Sequence, residues 1–255
     1  MGDKFEDNEE ENLVIYGRNA VLEALRSGRD IDRLYVQEGN PDGTLQSIIR
    51  TAKKMNIIIN FVSRDRLNKY ADGDKHQGAV AMAAAYNYAE VEDILNVAKE
   101  KGEPPFIIVL DDIEDPHNLG AIIRTANQAG VHGVIIPKRH AVGLTATVAR
   151  TSAGAINYTP VAKVTNISRT IEELKEKGIW FACADMSGDI MYNCNLTGAI
   201  GLVIGSEGSG VSRLVKEKCD FIVKIPMFGQ IDSLNASVAA GVLSYEIVRQ
   251  RMMQK

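Results

Sequence analysis

The sequence predicts an α/β protein in two parts: a small N-terminal α/β layer and a larger domain built on a parallel sheet. Three observations predict it. Short strands rich in β-branched residues alternate with stretches of helical spacing, twice over. The strands of the second half are apolar at every position, the pattern of a sheet covered on both faces. A charged stretch ending at Pro104–Pro105 separates the two alternations.

In the first part, "GRNAVLEALRSG" has helical spacing at Val21, Leu22 and Leu25 and stops at Gly28. "IDRLYVQE" alternates as a strand, and "TLQSIIRTAKKM" is helical again. "NIIINFVS" is a β-branched strand, and Ser63 is placed to cap a helix over "RDRLNKYA". "QGAVAMAAAYNYA" reads as a further strand. Residues 13–88 thus form one small layered domain. Residues 89–104 follow as a linker with a short helix around 91–100.

The second part, 105–255, repeats the alternation. Apolar strands recur at "FIIVL", "GVIIP", "IWFACA", "AIGLVIG" and "FIVKIP", with helices expected at 118–129, 167–177 and 210–217. "NASVAAGVLSYEIVRQR" is a closing helix with Val238, Val242 and Leu243 on one side.

Composition bounds the function. The 255 residues suit one large domain or two modest ones, and 45% hydrophobic with 24% charged residues is ordinary for a globular protein. No apolar run approaches the ~18–20 residues of a membrane span. The acidic start, "MGDKFEDNEEEN", reads as a disordered tail over 1–12, and as neither a secretory signal nor a transit peptide. Cys183, Cys194 and Cys219 show no C-x-x-C spacing, so reduced thiols in a cytoplasmic protein are expected, with no metal site. The net charge of −4 hides an uneven distribution: residues 1–11 carry −5, whereas 12–88 carry +3. That basic segment permits an RNA partner.

Three motifs carry the chemistry. In "DDIEDPHNLGAIIRTANQAG", a strand is broken at Pro116, Asn118 stands where a helix N-cap belongs, and Arg124 lies inside the helix. Taken alone, the pair reads as a cap and an exposed helix residue. In "GLVIGSEGSGVSRL", a buried strand enters a turn with glycines at 205, 208 and 210. That spacing is neither the dinucleotide fingerprint nor the phosphate-binding P-loop, which argues against a nicotinamide-dependent dehydrogenase. Glu207 inside the turn would repel a phosphate and suits a ligand with hydroxyl or amine donors. In "IPMFGQIDSLNASVAA", Ser233 and Asn235 stand at the mouth of the last helix, again as good caps. Three strand ends with polar groups would meet at the carboxyl edge of a parallel sheet, where α/β proteins hold ligands.

In this order the three stretches resemble the motifs of the SpoU, or TrmH-like, branch of the SPOUT RNA methyltransferases. Within that branch they are most similar to the bacterial 23S ribosomal RNA guanosine 2′-O-methyltransferases, which share "YGRNAVLEAL" and the "HQG" at His76–Gly78. The resemblance covers nearly the whole chain from about residue 13. It implies a parallel-sheet SPOUT domain with a deep trefoil knot, an L30e-like RNA-binding front domain and a homodimer. It implies S-adenosylmethionine as cofactor, held by Ile204, Gly205, Ile225, Met227 and Leu234. It implies methylation of a ribose in 23S ribosomal RNA, with transfer RNA, or RNA binding without catalysis, as the alternatives. Arg124 matches the catalytic arginine, either as a cation facing an alkoxide or as the proton acceptor; a guanidinium pKa above ~12 favours the cation. Asn118, Glu207 and Asn235 match the other polar positions, with Ser233 in support.

Overall fold

The computed structural model describes residues 14–71, 73–231 and 233–254; the acidic tail expected over 1–12 lies outside the described residues. The chain divides into two compact units. One extends to Asn87 and takes in Gly143–Ala146; the other comprises Tyr88–Val142 and Thr147–Lys255. Among the described residues, no helix is long and apolar enough to cross a membrane.

The first unit contains β1 (Val14–Tyr16), α1 (Arg18–Arg26), β2 (Ile31–Gln37), α2 (Gly43–Lys54), β3 (Ile58–Val62), α3 (Arg64–Asn68) and β4 (Ala79–Ala83). Its sheet runs β1-β4-β2-β3, with β2 and β3 parallel and β4 antiparallel to both β1 and β2. The helical spacing read at Val21 and Leu25 becomes buried contact: both pack with Leu34, Ile48 and Ala81 on one face. On the other face, Tyr35 stacks on Tyr70 with ring centroids 4.6 Å apart. Asp42 caps α2 by accepting from Leu45 N at 3.2 Å. Ser63 occupies the cap position of α3, but its side chain makes no capping bond. The strand expected over "QGAVAMAAAYNYA" is confined to Ala79–Ala83.

The second unit contains α4 (Val91–Lys101), β5 (Phe106–Leu110), α5 (Pro116–Gln128), β6 (Gly133–Pro137), α6 (Ala146–Thr151), β7 (Val161–Val164), α7 (Ile167–Glu176), β8 (Trp180–Ile190), β9 (Ile200–Ile204), α8 (Arg213–Lys218), β10 (Phe221–Lys224) and α9 (Ala236–Met253). All six strands are parallel, in the order β10-β8-β9-β5-β6-β7. Every residue of β5 and β9 is buried, as their uninterrupted apolar runs require. Each large side chain so removed from water contributes about 1.5–3 kcal/mol. β5 leads toward β6 on one side, and β9 leads toward β10 on the other. The pair is therefore a topological switch point, with a crevice beyond its carboxyl ends.

Three further expectations need correction. α5 starts at Pro116, and its cap is Asp115, which accepts from His117 N at 2.9 Å; Asn118 lies within the first turn. α8 covers only Arg213–Lys218, because the segment before it is spent in the turn after β9. The buried stripe of α9 runs through Ala236, Ala240, Leu243 and Ile247, leaving Val238 about half exposed. β7 falls in a stretch too short and mixed to be read as a strand from periodicity.

His132 is completely buried and joins the start of β5. Its Nδ1 accepts from Phe106 N at 2.9 Å, and its Nε2 lies 3.2 Å from Glu103 Oε2. Nδ1 must be unprotonated to accept, so the ring is neutral with its hydrogen on Nε2. Burial holds its pKa below the ordinary histidine value, against the opposing pull of Glu103. The folded protein therefore binds this proton less readily than the unfolded chain does. The stability His132 confers is present above the unfolded value of about 6.5 and is lost as pH falls below it. The melting temperature should fall on going from about pH 7.5 to 5.5, and His132→Gln should flatten that slope. Equal slopes in the two proteins would assign the acid sensitivity elsewhere.

Candidate active site

Three loops meet at the carboxyl edge of the parallel sheet. Asn118 Nδ2, in the first turn of α5, donates to Glu207 Oε1 in the turn after β9 at 2.8 Å. Asn235 Nδ2, at the mouth of α9, donates to the same Glu207 Oε1 at 2.5 Å and to Asn118 Oδ1 at 2.9 Å. The amide orientations follow from the backbone. Asn235 Oδ1 accepts from Ser237 N at 2.9 Å and Val238 N at 3.3 Å, so its nitrogen must face the other two residues. Asn118 then accepts through its oxygen and donates through its nitrogen. Because Asp115 caps α5, Asn118 is released for this contact. Asn235 serves both as cap and as member of the trio. Glu207 Oε2 makes no hydrogen bond among the described residues and remains available as an acceptor.

Beside the trio lies a cleft of about 770 Å³ that includes its open mouth, within the range of small-molecule sites. Ile204, Gly205, Ile225, Met227 and Leu234, the five residues implicated as cofactor contacts, all line it, as do Glu207 and Ser233. Its walls are mainly apolar. The turn after β9 folds back on itself: Gly210 N donates to Ser206 O at 3.0 Å, and Ser206 Oγ lies 2.7 Å from Ser209 Oγ. A closed turn with an acidic rim is no cradle for a phosphate. It suits a ligand with an apolar body, hydrogen-bond donors and positive charge.

Arg124 does not join the trio of its own chain. It is exposed, with no hydrogen bond or ion pair among the described residues, and it does not line the cleft. Helix geometry puts it roughly 120° around and about 9 Å along the axis from Asn118. Ser233 is exposed on the cleft wall and makes no hydrogen bond to the trio.

The structure also adds residues that sequence reading missed. β8 pairs with β10 at Ile222↔Cys183 and then at Val223↔Asp189, so residues 184–188 are thrown out of the ladder as a bulge. Ala184, Asp185 and Met186 from this bulge line the cleft. Lys216 pairs with Asp185 at 2.8 Å, and Ser187 N donates to it at 2.9 Å. Partial burial pushes the Asp185 carboxyl upward, but the hydrogen bonds from Lys216 and Ser187 outweigh it and hold the pKa at about 2. The available signal was the acid directly following the apolar run "WFACA", a strand end like the three that were read. Asp111, at the end of β5, accepts from Ser212 N at 2.7 Å and ties the first motif to the second.

This fold and site define an RNA-methylating protein, for residues 105–245 match the SpoU rRNA methylase family and residues 14–89 match the RNA 2′-O ribose methyltransferase substrate-binding family. The chain belongs to the SpoU rRNA methylase family. Its relatives include a protein of Bacillus subtilis strain 168 named as TrmH family tRNA/rRNA methyltransferase YacO, 52% identical over 238 residues, 93% of this chain and 95% of that one. Another, named as a TrmH family tRNA/rRNA methyltransferase of Staphylococcus haemolyticus, is 47% identical over 242 residues, 94% of this chain and 97% of that one. In fold, the chain is similar to the SpoU methyltransferase AviRb from Streptomyces viridochromogenes, solved in complex with AdoMet, with a TM-score of 0.60 and 24% identity over 99% of this chain and 95% of that one.

Proposed function

We propose that the protein transfers a methyl group from S-adenosylmethionine to the 2′-hydroxyl of a ribose, that of a guanosine, in 23S ribosomal RNA. The observation that carries this reading is the carboxylate–amide trio of Asn118, Glu207 and Asn235 at the rim of an apolar cleft that lacks an anion cradle. The cleft suits the cofactor chemically: apolar walls for an adenine and a thioether chain, and an acceptor-only carboxylate for ammonium, hydroxyl or sulfonium charge. AviRb and an rRNA methyltransferase from Sinorhizobium meliloti, both similar in fold, were solved with AdoMet bound, which supports the same choice. When bound, S-adenosylmethionine supplies an electrophilic methyl group.

The residues then divide the work. Ile204, Gly205, Ile225, Met227 and Leu234 hold the cofactor against the strand ends. Asn118, Glu207 and Asn235 orient the ribose, and Ser233 supports them. A protonated 2′-hydroxyl is a poor nucleophile, so its proton would pass to water as the methyl–oxygen bond forms and the methyl–sulfur bond breaks, and the developing alkoxide needs a fixed positive charge. Arg124 supplies it as a planar cation, since a guanidinium is a very weak base near neutral pH. The active species is a homodimer. Leu234, Val238 and Tyr245 provide exposed apolar surface for it, and a partner copy can bring Arg124 to the trio. Residues 105–255 carry the knotted SPOUT topology, residues 89–104 connect it, and residues 13–88 form an L30e-like unit that selects RNA. The substrate-binding family match over 14–89 supports that last assignment. We take the presence of this front unit to favour ribosomal over transfer RNA as the substrate, and we place the reaction in the cytoplasm.

Mapping ribose methylation in ribosomal RNA from a strain lacking the protein, then restoring the mark with purified protein and S-adenosylmethionine, tests the reading. A missing mark on transfer RNA instead would move the substrate. Cofactor binding without transfer to any RNA would refute catalysis. Removal of residues 1–88 should weaken RNA binding about tenfold or more while leaving cofactor affinity within about twofold. RNA affinity that survives this truncation would contradict the role given to that unit.

A further inference from the structure

The motif "HQG", His76–Gly78, takes no part in the site described so far. It forms one wall of a second concavity, within the first unit, bounded by Arg18, Gln37, Arg64, His76, Gln77 and Gly78. We infer that this concavity is a pocket for one unpaired nucleotide of the substrate RNA, with guanidinium groups on its phosphate and glutamine amides on its base edge. The inference rests on the reading of the protein as an RNA-modifying enzyme.

The backbone supplies the first argument. Gln77 has φ +50, in the left-handed region that a non-glycine residue rarely adopts. Strain of this kind persists only where surrounding structure imposes it. Here His76 imposes it. Its ring is buried, with Nδ1 accepting from Gly78 N at 2.9 Å and Nε2 lying 2.8 Å from Asn68 Oδ1. Nδ1 is an acceptor, so Nε2 carries the hydrogen and donates to Asn68; His76 is a buckle on the loop. From the other side, Arg18 Nε donates to Gln77 O at 2.9 Å. A glycine at 77 would relieve the strain, yet a glutamine stands there with an exposed side chain.

The lining supplies the second argument. Arg18 Nη1 pairs with Asp42 at 2.6 Å, which fixes its guanidinium plane and leaves further N–H groups for an anion. Arg64 adds a second guanidinium, the side chain best matched to a phosphate. Gln37 offers a donor and an acceptor side by side, the complement of a base edge, and Gln77 adds its amide N–H groups while its Oε1 accepts from Arg18 N at 3.4 Å. In an RNA duplex the major groove is too narrow for side chains and the shallow minor groove is read mostly by shape, so a concavity that takes hold of a single base edge suits an unpaired nucleotide. Of the six lining residues only His76 carries an aromatic ring, and that ring is buried with both nitrogens engaged, so recognition rests on hydrogen bonds and distinguishes bases. A volume of about 800 Å³, including the mouth, accommodates one nucleotide.

The test uses the full-length protein with Gln77→Gly and Arg64→Ala, titrated with labelled oligoadenylate, labelled oligouridylate and the duplex the two form. Glycine accepts φ +50, so Gln77→Gly keeps the loop's backbone conformation while removing the amide and its long bond from Arg18 N; unfolding temperature and cofactor affinity report on integrity. We expect the unaltered protein to bind one single strand about tenfold better than the other and than the duplex. Gln77→Gly should lose about tenfold on the preferred strand and erase the preference, and Arg64→Ala should weaken both strands alike. Binding by Gln77→Gly within about twofold of the unaltered protein, or equal binding of duplex and single strand, would overturn the pocket. A loss with Arg64→Ala but none with Gln77→Gly would reduce it to a basic surface and equally overturn it. The functional reading fails separately, if the unaltered protein transfers no methyl group from S-adenosylmethionine to any RNA.

Discussion

Arg124→Ala loses about two to three orders of magnitude in kcat for RNA methylation, the loss seen when a single charge-stabilising donor is removed from a transition state. Its affinity for S-adenosylmethionine stays within about twofold, because Arg124 lies outside the cleft lining. The unfolding temperature also stays close to that of the unaltered protein, since the side chain is exposed and holds nothing in its own chain. Isothermal titration of the cofactor and single-turnover methylation separate these quantities. Arg124→Lys distinguishes shape from charge: a lysine keeps the cation but lacks the planar fork, so a small recovery points to the fork. Turnover near normal in Arg124→Ala would remove Arg124 from the reaction.

Gly205→Ala weakens cofactor binding about a hundredfold through steric conflict alone. A Cβ at 205 would run into the backbone of Gly210 and Val211, which cannot move without opening the turn that carries Glu207. Gly208, three residues further on, is the internal control. A Cβ there meets nothing within 4 Å, so Gly208→Ala should bind the cofactor nearly as the unaltered protein does. The same methyl group added to one turn thus gives opposite outcomes. If both variants bind equally, the closed turn is not what shapes the cleft. A loss of folded signal in Gly205→Ala would be read by circular dichroism, and cofactor titration of the folded fraction keeps the comparison usable.

Much of the architecture was legible locally. "FIIVL" and "AIGLVIG" must be covered on both faces because they contain no polar position, and the sheet covers them so. Each of the three motifs was recognisable as a strand end meeting a helix mouth. Local reading failed where neighbours decide. Asn118 has the chemistry of a cap, but Asp115 three residues earlier takes that task, and only long-range packing shows what Asn118 does instead. Asp185 follows an apolar run that marks a strand end, but its place in the cleft comes from a register jump between β8 and β10, set by the partner strand and not by that run.

The sequence by itself determined the two-part α/β organisation, the all-apolar parallel strands and the residue types offered at their ends. These are properties of short segments, set by side-chain periodicity and turn chemistry within about ten residues. The tertiary structure alone decided that Asn118, Glu207 and Asn235 share hydrogen bonds, that the cleft has an acidic wall at Asp185, and that Arg124 stands apart from them. The order β10-β8-β9-β5-β6-β7 brings distant loops to one edge, and that order arises from packing between segments that carry no local record of one another.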